Sequence, residues 1–219
     1  EFAAAAEEDA VLVTVPPYHI AGIAAVLSST YACRRMVQLE SFEASAWLQA
    51  ARAQQASNAF LVPTMLQRIV EVADGAIDLP KLQNVAYGGG KMPRETIEAA
   101  MRLMPHVNFT NAYGLTETSA TICMLGPDDH RAAFENADPA IARRLGSVGR
   151  PIPTIELIIR GEDGGTCAAE ETGLVWVRGD QVSGEYKGLG SQLDSDGWFP
   201  TKDRGFVDAD GYLFIDGRA

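Results

Sequence analysis

Tyr113-Gly114-Leu115-Thr116-Glu117 sets an aromatic ring, a glycine, a hydroxyl and a carboxylate within five residues. Each type answers a different demand of a nucleotide. A tyrosine ring offers a flat face to a purine, and a threonine hydroxyl can reach a phosphate oxygen. A glutamate is a hard oxygen ligand of the kind magnesium takes together with phosphates. Gly114 lets the backbone turn sharply between them. Asn111, two residues before the ring, adds an amide. Taken alone, the same stretch also reads as a hydrogen-bonded turn in which Thr116 caps a helix and Glu117 is solvated.

The segments upstream are of a kind that would carry such a stretch at a strand end. Val11–Val15 is a short β-branched run closed by Pro16-Pro17, and it reads as a buried strand. Ile20–Ala32 is small and apolar and reads as a helix. Met36–Leu39 is a strand candidate, while Ala44, Trp47, Leu48 and Ala51 share one helix face. Phe60–Val62 is a strand ended by Pro63, and Leu66, Ile69, Val70 and Ala73 are helical, with Gly75 as the stop. Asn84–Tyr87 runs into Gly88-Gly89-Gly90. Pro93 suits a first helical turn, and Ile97, Ala100, Met101 and Met104 give its apolar face. Val107–Thr110 leads as a strand into the Tyr113 stretch. Alternation of this kind predicts an α/β fold, a parallel sheet flanked by helices. In such sheets ligands bind where loops leave the carboxyl ends of strands. Three loops qualify: "PPYHIAG" (Pro16–Gly22), "YGGGKMP" (Tyr87–Pro93) and the Tyr113 stretch.

The pattern changes after Gly126. "PDDHRAAFENADPAIARR" is polar and reads as a long loop with a helical turn. From Val148 short strands alternate with tight turns: Ile155–Ile159, the turn "GEDGG", Leu174–Val177, and a hairpin around "DADG" (Asp208–Gly211). A small antiparallel sheet or β-barrel-like subdomain is expected here. The compositional boundary falls near residue 145, giving an α/β part at 1–144 and a mainly β part at 145–219.

A net charge of −11 without a basic block argues against nucleic acid as a partner. No apolar run approaches the length of a transmembrane helix. Cys33, Cys123 and Cys167 are too few and too scattered for a disulfide framework or a zinc site. They fit a reducing cytoplasm, as small buried apolar residues. The chain begins Glu1-Phe2 and ends "FIDGRA" straight after a strand-like run, which reads as a piece of something longer.

Five segments, "PPYHIAG", "YGGG", "YGLTE", "GWFPTKDRG" (Gly197–Gly205) and "DGYLFIDGR" (Asp210–Arg218), stand in an order that resembles the AMP-forming, adenylate-forming enzymes. That superfamily holds acyl-CoA synthetases, aryl-CoA ligases, luciferases and peptide-synthetase adenylation domains. The resemblance spans Pro16 to Arg218 and implies an internal fragment of the large N-terminal domain. It implies that Tyr113 stacks on adenine, Thr116 holds the α-phosphate and Glu117 holds Mg2+. Asn111 and Gly88, Gly89 and Gly90 would border the adenine and acyl pockets. Asp203 and Arg218 would reach the ribose, and His19 would lie near the reacting carboxylate and the thiol tunnel. Without the resemblance, His19 beside Ile20, Ala21 and Gly22 reads as a structural histidine, and Asp203 as one more solvated aspartate.

The implied reaction belongs to an acid–thiol ligase. A carboxylate attacks the α-phosphate of ATP, pyrophosphate leaves, and the thiol of CoA then displaces AMP. The partners are a small carboxylic acid, ATP and CoA. The apolar stretch "SNAFLVPTML" favours a fatty or aromatic acid, and a peripheral membrane contact stays compatible with such a substrate. An exposed sheet edge favours self-association of the fragment. Two features depart from the family pattern. Lys202 stands where the family has glycine, and the family's phosphate loop and C-terminal domain, with its catalytic lysine, do not occur in these residues. The chain alone is therefore expected to be inactive. The alternatives are a peptide-synthetase-type adenylation domain, a non-catalytic AMP-binding module and an α/β scaffold that binds no nucleotide.

Overall fold

The structure is a computed structural model that describes residues 8–219 apart from 187 and 189. The chain divides into two compact units, Glu1–Thr110 and Asn111–Ala219. This division precedes the compositional boundary near 145.

In the first unit β1 (Ala10–Val13), α1 (Ile20–Tyr31), β2 (Arg35–Gln38), α2 (Ala44–Ala53), β3 (Asn58–Leu61), α3 (Pro63–Glu71), β4 (Asn84–Gly88), α4 (Arg94–Leu103) and β5 (Asn108–Tyr113) alternate as expected. β1 pairs in parallel with both β2 and β3, β3 pairs in parallel with β4, and β5 lies beside β4. The core strands are near-continuous apolar runs because both faces are covered. Leu12, Leu61 and Tyr87 from the sheet, Trp47 from α2, Leu66 and Ile69 from α3 and Ile97 from α4 are fully buried.

Local chemistry sets the helix ends. Glu43 caps α2 by accepting from the N–H groups of Ser45 and Ala46 at 3.0 and 2.7 Å, and these bonds lower its pKa. Pro63 opens α3 at its first position. Two boundaries differ from the sequence reading. α3 ends at Glu71, four residues before Gly75, and Pro93 precedes α4 rather than lying in its first turn. Cys33 is exposed, against the expectation of a buried thiol, because it lies in the tight connection from α1 to β2 with φ +53°.

The second unit opens with the last residues of β5. These pair antiparallel with β6 (Cys123–Leu125), which pairs with β7 (Arg150–Pro151). The polar stretch between them is mostly helical and not a loop. It forms α5 (Pro127–Glu135) and a short α6 (Pro139–Ala142). Each has Pro at its first position, and an aspartate closes each N-terminus: Asp129 accepts from Gly126 N and Asp138 from Ala140 N. The helix hides from periodicity because only His130 and Ala133 on α5 are buried.

Beyond this come β8 (Glu156–Arg160), β9 (Gly173–Arg178), the short pair β10 (Glu185–Tyr186) and β11 (Gly190–Ser191), β12 (Phe199–Val207) and β13 (Leu213–Arg218). Of the two forms expected, the sheet is found: a four-stranded antiparallel sheet in the order β13-β12-β9-β8. Its apolar residues, among them Ile159, Val175, Val177, Phe199 and Leu213, form one core cluster with Ile122 and Cys123. The β12–β13 hairpin is tied at its turn by Asp208, whose carboxylate accepts from the N–H groups of Asp210 and Tyr212 at 3.0 and 2.9 Å.

Candidate functional site

The second unit holds six of the ten residues singled out from the sequence and brings three of them into contact. Tyr113 ends β5, Asp203 lies on β12 and Arg218 ends β13. Tyr113 Oη donates to Asp203 Oδ2 at 2.5 Å across 90 residues of chain. Arg218 Nε lies 3.1 Å from Asp203 Oδ1, and Asp203 and Arg218 are direct cross-strand partners.

Asp203 owes its place to an irregularity in β12. The pairing of β12 with β9 shifts register between Pro200 and Arg204, and Lys202 at the shift has φ +65°. The bulge buries Thr201 and Asp203 on either side while Lys202 stays exposed. Thr201 Oγ1 donates to Val175 O at 2.9 Å and accepts from Asp203 N at 3.1 Å, so both side chain and backbone of Asp203 are held. Sequence reasoning did not single out Thr201. Its signal is a hydroxyl two residues before the aspartate in "TKD".

Tyr113 is half-buried. Burial first, and then its hydrogen bond to Asp203, push the phenol pKa far above the ordinary tyrosine value. Its hydroxyl therefore remains a donor. The turn that follows is close-packed. A Cβ on Gly114 would sit 1.4 Å from Ala120 O, so no other residue fits there. Thr116–Thr118 form one turn of 3-10 helix, closed by Ser119 (φ +53°) and Ala120 (φ +84°) in left-handed conformations.

In this turn Thr118, rather than Thr116, does the capping. Its hydroxyl accepts from Leu115 N at 3.0 Å. Gln181, a second residue not singled out from the sequence, donates to the carbonyls of Thr118 and Thr121, both at 2.8 Å, and fixes the turn from outside. Thr116 is left exposed and Glu117 partly exposed. Glu117 O accepts from Ser183 N at 3.0 Å, which anchors its backbone. Asn111 is buried, and its amide donates to Ser147 O at 3.1 Å, a bond that ties β5 to the segment before β7.

The remaining residues belong to the first unit. His19 is exposed immediately before α1, its ring 4.9 Å from that of Tyr18. Gly88 is the buried last residue of β4. Gly89 (φ +78°) and Gly90 are exposed beyond it, beside Val62 and Pro63. Among the described residues, no group of three His, Cys, Asp or Glu side chains could by itself hold a metal ion. Glu117 would meet the need of magnesium only as one carboxylate among phosphate oxygens, a mode of binding usual for that ion.

Residues 1–187 match the family model for AMP-binding enzymes. A 2-succinylbenzoate–CoA ligase from Bacillus licheniformis is 31% identical over 95% of this chain and 41% of its own length. A probable CoA ligase from Humulus lupulus is 31% identical over 95% of this chain and 37% of its own. The chain thus spans about two fifths of the length of these relatives. Among solved structures, O-succinylbenzoate coenzyme A synthetase from Bacillus subtilis in complex with AMP matches with a TM-score of 0.80. It is 27% identical, over 97% of this chain and 41% of its own. The same enzyme in complex with ATP and magnesium ion matches with a TM-score of 0.79.

Proposed function

Since the chain belongs to the AMP-binding enzyme family, we propose that it carries the adenine and ribose contacts, and part of the acyl site, of an ATP-dependent, AMP-forming acid–thiol ligase. The observation that carries this reading is the Tyr113–Asp203–Arg218 cluster, an aromatic ring, a fixed carboxylate and a guanidinium within hydrogen-bonding reach in one unit. A ring beside a carboxylate suits a nucleoside, because the base wants a flat face and the ribose hydroxyls want acceptors. The CoA ligases among the relatives support CoA as the thiol.

In the proposed reaction Tyr113 binds the adenine and Asp203 the ribose. Arg218 stands beside the ribose, and Asn111 borders the adenine pocket. The Thr116 hydroxyl binds the α-phosphate. Glu117 would hold a magnesium ion, which on binding neutralises charge on the phosphates. His19 and Gly88, Gly89 and Gly90 serve the acyl and thiol side. A carboxylate oxygen of the acid bonds to the α-phosphorus as the bond to pyrophosphate breaks. The CoA sulfur then bonds to the acyl carbon, and AMP leaves. The residues described here bind and orient, and the turn around Gly114 keeps Thr116 and Glu117 at a fixed separation from the Tyr113 ring along the chain.

With about two fifths of the length of its relatives, the chain alone does not turn over. The acid is fatty or aromatic, and the protein works in the cytoplasm. No described helix is long and apolar enough to cross a membrane.

The deciding experiment is calorimetric titration of AMP with magnesium into the chain and into Tyr113→Ala. Saturable binding that the substitution abolishes is expected. Equal binding by both proteins would remove Tyr113, and this reading with it, from the adenine site.

A further inference from the structure

The two oxygens of Asp203 are held by two different donors, and the donors are not equivalent. Arg218 is 65% exposed at its side chain, where an ion pair contributes little. The Tyr113 hydroxyl is in a part-buried setting and reaches Asp203 Oδ2 at 2.5 Å, the range of a short charge-assisted bond. Asp203 is buried, and its backbone N–H donates to Thr201 Oγ1. An ionised carboxylate has roughly four acceptor positions. With one given to Tyr113 and one to Arg218, about two remain, as many as the vicinal hydroxyls of a ribose. The raised pKa of the phenol keeps the donor protonated in neutral and mildly alkaline solution.

Resting on the nucleotide reading above, we propose that Tyr113 is a positioning residue for the sugar as well as the face for the base: its hydroxyl fixes the Asp203 carboxylate so that the two unoccupied acceptor positions are presented to a vicinal diol. The ring and the hydroxyl of one side chain then serve different parts of the nucleotide. The two roles can be separated, because phenylalanine keeps the ring and loses only the hydroxyl. The same bond also links β5 to β12, so the last residue of one strand sets the orientation of a carboxylate on a strand 90 residues later. No proton moves between the two groups in this role. Asp203 remains the acceptor throughout.

The test compares AMP with 2′,3′-dideoxy-AMP by calorimetric titration into the wild-type chain, Tyr113→Phe and Tyr113→Ala. The wild type should favour AMP. Tyr113→Phe, which keeps the ring, should still bind the dideoxy nucleotide saturably, which also reports an intact fold. Its affinity for AMP should drop about tenfold, the loss expected when a carboxylate that is no longer held makes one ribose hydrogen bond less well. Tyr113→Ala should weaken both nucleotides. An unchanged ratio of the two affinities in Tyr113→Phe overturns the positioning role and leaves the nucleotide reading standing. A gain of AMP affinity in that variant also overturns it, by showing that the hydroxyl competes with the ribose. Failure of the wild type to bind either nucleotide removes the nucleotide reading and this inference together.

Discussion

Acid should weaken the second unit through one histidine. His130 is the fourth residue of α5 and 1% exposed. Its Nδ1 lies 2.8 Å from Gly126 O, a carbonyl that can only accept, so Nδ1 carries a proton. The same carbonyl accepts the His130 backbone N–H at 3.0 Å. Burial lowers the His130 pKa to about 4, against a partial rise from that carbonyl and from Asp129. A position in the first turn of a helix disfavours a cation further.

The sign follows from the direction of the shift. The unfolded chain takes up the proton near pH 6.5 and the folded chain only near pH 4, so between those values the unfolded state binds more protons. The stabilisation is complete above about pH 6.5 and is lost as pH falls. Across the full window it amounts to about 3 kcal/mol, of which about 2 kcal/mol is lost between pH 7 and pH 5. Urea unfolding followed by tryptophan fluorescence reads this unit through Trp176 and Trp198. The control is His130→Gln, which cannot titrate, while the carboxylates common to both proteins cancel in the difference. The stability difference between wild type and variant should shrink by about 2 kcal/mol from pH 7 to pH 5. A difference that stays flat over that range would show that His130 is not held neutral by burial, and the account of α5 packing would fail with it.

Gly114→Ala should destabilise the chain by more than about 3 kcal/mol in urea unfolding, because its Cβ would overlap a backbone carbonyl rather than a side chain that can move. At Lys202, glycine should be tolerated within about 1 kcal/mol, since relief of the left-handed strain offsets the entropy cost of glycine. Lys202→Val should cost roughly 1–2 kcal/mol more, and equal stability of the two variants would mean the bulge relaxes. ATP–pyrophosphate exchange supported by a fatty or aryl acid should be undetectable with this chain, and any acid-dependent exchange refutes the inactivity proposed for it. Sedimentation velocity should show concentration-dependent self-association, because β2 is a largely exposed edge strand and Ile23, Leu27 and Tyr31 lie exposed on α1. A single monomeric boundary at all concentrations rules this out.

Much of the alternation of strand and helix from Val11 to Thr110 was legible because it rests on local signals. Trp47 and Ala51 recur at helical spacing and are buried, Met101 and Met104 likewise, and prolines stand at or near the starts of α3 and α4. α5 was not legible, because a helix that buries only two residues leaves too little apolar pattern, and the polar residues that cap it resemble those of a loop. The candidate site divides in the same way. Residue types in the Tyr113 stretch suggested nucleotide chemistry, but what holds them is non-local. Gln181 closes the turn from 60 residues away, and Thr201 sets the backbone of Asp203 through a bulge whose sign is a lysine at positive φ.

Lys202 shows why the departure from the family pattern misleads when read as chemistry alone. Glycine at that position answers a backbone demand, φ > 0, and a lysine can meet the same demand at a cost of about 1 kcal/mol while its side chain runs into solvent. The substitution therefore changes the stability of the bulge before it changes any contact to a sugar, and the two effects separate in measurement. If Lys202→Gly leaves AMP affinity unaltered while Lys202→Val lowers it, the bulge geometry that presents Asp203 governs binding. If Lys202→Gly instead raises AMP affinity with little change in unfolding, the lysine side chain reaches the nucleotide, and the solvent-facing placement of residue 202 would not hold in the bound state.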